Sequence, residues 1–179
     1  MLIQIRLTAF ISLLFLASFA EAQESSFIED FTQKWSNAYT YTSQVAEMMP
    51  EESYAFKPSE EEMTFGNQVK HLTSNILYMT ARHLNPADSL TYKVLMAEAR
   101  KAESKAEILA QLKAGFDFMD KTLKTYDPAN LDKEADFFAG KMSQRRVFFL
   151  ISDHLAHHRG QLVVYLRLNG LKPPRYMGW

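Results

Sequence analysis

No cysteine occurs among the 179 residues, so a disulfide framework and a lipid-modified N-terminal cysteine are both excluded. Stability then has to come from an apolar core, with a bound metal as the available supplement. An excess of one charge is lacking too: 20 Lys and Arg stand against 21 Asp and Glu, a formal net charge of -1. Acids and bases are mixed along the chain, which leaves no basic face for a phosphate backbone and argues against nucleic acid as a partner. Beyond the first 22 residues no run is long and apolar enough to span a bilayer. Internal repeats and low-complexity tracts are also missing. What is present is apolar material in quantity, 47% hydrophobic and 13% aromatic residues, enough to fill the core of one domain of 157 residues.

Residues 1–22 read as an export signal. One positive charge, Arg6, precedes an apolar run from residue 7 to 19, and Ala20-Glu21-Ala22 places small residues where a signal peptidase reads them. Cleavage would leave Gln23 first and residues 23–179 as the mature domain, exported to a periplasm or to the medium. A retained anchor is the competing reading, but the run falls short of the roughly 20 residues a membrane helix needs.

The remainder has helical periodicity. Phe27, Phe31, Trp35, Ala38, Thr42 and Val45 recur at steps of three and four, predicting a helix over residues 25–49 that Pro50 stops. The aromatic stripe is read as core. Glu60-Glu61-Glu62 follows and is read as solvated charge ahead of a helix. Thr64 caps a second helix reaching Leu84, before Asn85-Pro86, with Phe65, Leu72, Ile76 and Met79 facing inward. A short helix over 89–100 precedes a clearer one from Ser104, whose spacing to Glu107 matches a capping box, and Asp127-Pro128 ends it. The charged segment 127–142 carries the adjacent Phe137 and Phe138, which suit either a pocket wall or packing under the bundle end. Ser143 caps a last helix expected to reach Asn169 with Gly170 as its stop. Tyr176 and Trp179, in a tail that Pro173-Pro174 keeps from being helical, are expected either to fold back over one end of the core or to form a pocket wall. The fold class is all-α, a four-helix bundle.

Chemistry concentrates in Asp153-His154-Leu155-Ala156-His157-His158-Arg159-Gly160-Gln161. His154 and His158, four apart, differ by only about 40° in direction on a helix and stack on one side of it. Val147, Ile151, Leu162 and Tyr165 make that side the apolar one. A divalent cation would satisfy both nitrogens and favour the neutral rings that burial prefers. Hydrogen bonding across a bundle accounts for the same spacing. His71, on the second helix beside Asn75, is either a third ligand or a histidine at a bundle corner. His83 points roughly 120° away from it and should not share an ion. Arg159 is expected in an ion pair, and Gly160 where a neighbouring helix approaches closely.

Two motifs carry a resemblance. His154-Leu-Ala-His-His158-Arg159-Gly160-Gln161, followed by Tyr165-Leu-Arg167-Leu-Asn-Gly170-Leu-Lys-Pro173-Pro174, is similar to the last helix and tail of the DinB/YfiT-like superfamily of metalloenzymes. Tyr54-Ala-Phe56-Lys57-Pro58 before Met63-Thr64-Phe65-Gly66-Asn67-Gln68-Val69-Lys70-His71 resembles its entry into the second helix. The likeness spans nearly everything after the leader. It implies a four-helix bundle with a divalent metal held by His71, His154 and His158. Asn75, Asp153, His157 and Gln161 are the candidates to hold the ligand rings from behind. Zinc is favoured, with nickel, iron and manganese also accepted by imidazole.

Members of that superfamily include thiol-dependent transferases and isomerases, besides hydrolases. Export disfavours low-molecular-weight thiols as cosubstrates, and hydrolysis needs only water. The leading expectation is therefore an exported, metal-dependent hydrolase-like protein acting on a small molecule. No side chain is assigned as catalytic, and metal-bound water is the nucleophile. A thiol-dependent S-transferase or isomerase, a metal- or ligand-binding envelope protein without turnover, and a self-pairing structural bundle, in which a homodimer forms through an exposed helix face, remain as alternatives.

Overall fold

The computed structural model describes residues 26–178, so the expected leader and Trp179 lie outside the described residues. Among the described residues there are five α-helices: α1 over residues 26–48, α2 Phe65–Met79, α3 Ser89–Lys101, α4 Lys105–Thr125 and α5 Gln144–Leu168. Helices α1, α2, α4 and α5 form the bundle, and α3 lies against α2 and α4. The all-α class holds, with one helix beyond four and a two-stranded antiparallel hairpin, β1 Glu134–Ala135 and β2 Met142–Ser143, that periodicity did not anticipate. Strands of two residues are too short to show an alternation.

Local chemistry sets the helix starts. Thr64 accepts the Asn67 N–H, Ser143 that of Arg146, and Ser104 with Glu107 makes the reciprocal capping box expected from their spacing. Two lysines terminate helices from a distance. Lys70 Nζ donates to the carbonyls of Arg100 and Ala102 at the end of α3, and Lys105 Nζ donates to those of Glu47 and Met49 at the end of α1. Each places a positive charge where a helix dipole ends in unpaired acceptors. After Met79 the second helix widens into a π turn, Thr80–Leu84.

The α1 stripe is core, as its spacing implies. Phe31 meets Phe148 of α5 edge to face at 4.8 Å between ring centres, and Trp35 lies tilted against Phe116 of α4 at 4.5 Å. Val45, Phe65, Leu72, Met119, Phe148 and Leu162 are sealed from solvent in the same cluster. A buried Leu or Phe contributes about 1.5–3 kcal/mol, so this one cluster dominates stability.

Two expectations need correction, and a third is decided between its alternatives. Arg159 is buried but makes no ion pair among the described residues: its Nη1 donates to Thr42 Oγ1 at 3.3 Å and its guanidinium lies 4.9 Å from the Tyr41 ring centre, so an aromatic face and a hydroxyl stand where a carboxylate was expected. No side chain or backbone comes within 4 Å of where a Cβ on Gly160 would be, so that glycine admits no neighbour within the described residues. Tyr176 is mostly exposed and touches Tyr41 edge-on, lining a pocket rather than sealing the core.

Candidate metal centre

Helices α2 and α5 cross so that His71, His154 and His158 point into one space. Each ring is half-buried, and one nitrogen from each lies within 4.8 Å of the other two. His71 Nε2 and His154 Nε2 are 3.2 Å apart. Two nitrogens bound tetrahedrally to one ion at about 2.0–2.1 Å would be separated by about 3.3 Å, so the pair is already at ligand spacing. Among the described residues this is the one group of metal-ligating side chains so arranged.

The third ring is oriented from behind. His158 Nδ1 lies 2.8 Å from Gln68 Oε1 and 3.1 Å from Gln161 Oε1, both acceptors, while Gln68 Nε2 donates to Gln161 Oε1 at 2.7 Å. The proton therefore sits on Nδ1, and the Nε2 lone pair is left for an ion. Gln68 is 2% exposed, so its amide is fixed by packing. Periodicity passed over this residue. The signal for it was a polar side chain at an inward α2 position, three residues before His71 and on the same face.

Electrostatics keep the cluster neutral. Burial, then the neighbouring imidazoles, hold His154 down at about 4. Burial also lowers His71, and burial followed by the charge of His71 lowers His158. Three neutral rings with converging lone pairs are poor company for one another and good company for a cation.

The other named residues fall differently. Gln161 touches His158 as expected. His157 is exposed, stands edge-on to His158 and reaches Gln161 at 3.4 Å, outside the three-histidine group. Asp153 is exposed, Asn75 lines a cleft further along α2, and neither hydrogen-bonds a site histidine among the described residues. Their side chains project along the helix surface instead of behind a ring. Glu62, read earlier as solvated charge, comes close: its Oε2 is 3.3 Å from the Tyr165 hydroxyl, which also lies 3.0 Å from the Met63 carbonyl, and its charge acts on His158.

The DinB family model matches residues 22–178, nearly the whole chain. The chain belongs to the DinB family. An uncharacterised protein of Bacillus subtilis strain 168, YjoA, is 27% identical over 135 residues, covering 72% of this chain and 82% of its own. The crystal structure of that DinB-like protein superposes with a TM-score of 0.65 at 23% identity, over 83% of this chain and 97% of the other. A DinB-like protein from Bacillus cereus ATCC 10987 superposes with a TM-score of 0.69 at 20% identity, over 83% and 96%. These likenesses establish the DinB bundle as the fold. In this DinB protein the three-histidine group has the donor set to hold a divalent metal ion.

Proposed function

We propose that this protein is an exported, metal-dependent hydrolase-like enzyme of the DinB family, in which His71, His154 and His158 hold one divalent cation, zinc for preference. The observation that carries the reading is the convergence of exactly three histidine nitrogens, all within 4.8 Å, with no carboxylate in the set. Three protein ligands leave coordination positions for water or substrate, whereas structural zinc sites fill all four. A cation there would supply Lewis acidity, lowering the pKa of water and polarising a substrate carbonyl or phosphoryl oxygen.

The chain's own groups do the remainder. Gln68 and Gln161 hold His158 in one tautomer. Glu62, which accepts from the Tyr165 hydroxyl and whose charge acts on His158, would serve as the proton acceptor. Leu155 and Leu162, on the buried face of α5, back the ligand helix with apolar packing that limits movement of the rings. The leader pattern in residues 1–22 supports export, where water is the abundant nucleophile.

Elemental analysis of natively loaded protein against His154→Ala tests the ligand set. Native protein is expected to carry one metal per chain, and the variant to lose it while keeping its helical circular dichroism, since the bundle core is built from other residues. Equal metal in both would overturn the assignment. Hydrolysis of an ester, amide and phosphoester panel by the loaded protein, lost in the variant, tests the reaction class.

A further inference from the structure

One turn beyond His71 on α2, a cleft of about 350 Å³ opens between that helix and the β1–β2 loop, lined by Asn75, Tyr78, Arg82, His83, Phe137 and Phe138 among others. Its size falls in the range of small-molecule sites. His71, Asn75 and Tyr78 share one face of α2 at steps of four and three, and Arg82 follows in the π turn, so the cleft begins about one helical turn from the histidine cluster. At 1.5 Å per residue, Asn75 lies only about 6 Å along the axis from His71.

Three features of the cleft are costly for a surface with nothing to bind. Phe138 is 93% exposed, and Tyr78 nearly half exposed beside it. Arg82 has no acidic partner among the described residues. His83, 94% buried by its neighbours, leaves its Nε2 covered and unpaired, which forfeits about 1–3 kcal/mol of hydrogen bonding. That ring sits on the π turn of Thr80–Leu84, a widening of the helix often found at functional sites, and Phe137 packs edge-on against it at 5.9 Å. The loop phenylalanines and the α2 side chains therefore face one another across a space that is apolar on its walls and cationic at Arg82. Asp136 stands on the loop side, and its negative charge weighs against a dianion.

We infer that this cleft is the substrate-recognition subsite of the histidine site, selecting a planar, apolar monocarboxylate whose ring system lies against Phe137, Phe138 and Tyr78 and whose acid group pairs with Arg82. The inference rests on the proposed metal site only for what lies at the cleft's inner end; the cleft binds its ligand with or without the ion. His83 Nε2, covered in the free protein, is the second polar contact, uncovered where the Phe137 ring shifts to lie against the ligand.

Calorimetric titration of the protein from Gln23 onward with 2-naphthoate and with the neutral 2-naphthylmethanol tests it. Naphthoate is expected to bind more tightly than the alcohol. Arg82→Gln should weaken naphthoate by about tenfold, the worth of a charge-assisted hydrogen bond, and leave the alcohol unchanged. Phe138→Ala should weaken both, and His154→Ala should leave both intact. Arg82 and Phe138 are exposed, so neither variant threatens the fold. Equal affinity for acid and alcohol, or an Arg82→Gln variant that binds naphthoate normally, overturns the subsite. Loss of naphthoate binding in His154→Ala alone places the carboxylate on the cation and also overturns it. A Phe138→Ala variant that changes only the oligomeric state makes the loop a protein interface, with the same result. Because metal content of His154→Ala is read separately, the metal site can fail while the cleft stands, and the reverse.

Discussion

At the scale of single residues, the site is decided by who stands behind each ring. His158 meets two amide oxygens, and the buried one, Gln68 Oε1 at 2.8 Å, is the shorter contact. Removing it should free the ring to rotate and to place its proton on either nitrogen. Gln68→Leu, close in volume, is expected to reduce metal affinity by about 10–100-fold, the usual cost of losing such a partner, with the fold intact. Competition with a chromophoric chelator measures this. Unchanged affinity would mean that Gln161 alone holds the ring. His154 and His158 were readable from spacing, because four residues on a helix is a geometric statement. Gln68 and Glu62 were not, because their roles depend on α5 arriving beside them, 93 residues on in the case of the Gln68–Gln161 contact.

At the scale of elements, the helix starts obey rules contained within four or five residues, which is why they could be placed. The Ser104–Glu107 box satisfies N–H groups at the head of α4 in both directions. Ser104→Ala should cost about 1 kcal/mol of stability, read as a lower urea midpoint with an unchanged slope. A shift within error would show that packing of Ile108 and Leu112 carries the helix start unaided. Helix ends were harder. α3 stops where Lys70 reaches across from α2, and α1 where Lys105 reaches across from the start of α4, and no local pattern announces a cap supplied by another helix. The π turn at Thr80–Leu84 and the hairpin at Glu134–Ala135 likewise answer to tertiary packing.

For the whole molecule, acidity and metal are linked through folding. His71, His83, His154 and His158 all titrate below the ordinary 6.5 in the folded chain, chiefly through burial, with His154 near 4. The unfolded chain therefore takes up protons first as pH falls. Each group carries its full stability above about 6.5 and loses it progressively towards the folded value. Metal-free protein should keep a constant urea midpoint from pH 8 to 7 and lose stability between about 6.5 and 4. His154→Ala should show a shallower loss over that window, and an identical slope in both would remove His154 as a contributor. Added zinc should raise Tm at pH 7.5 and do so less at pH 5.5, since protons compete for the same nitrogens. By itself the sequence determined that this chain is helical and that two histidines share a helix face, because periodicity, caps and i, i+4 spacing are local consequences of helix geometry. The tertiary structure alone decided that His71 meets them, that Gln68 locks one ring, that Arg159 rests on an aromatic face and that Phe138 stands open over a cleft. Those are contacts between segments far apart in the chain, and they exist only once the bundle fixes the angle and depth at which its helices cross.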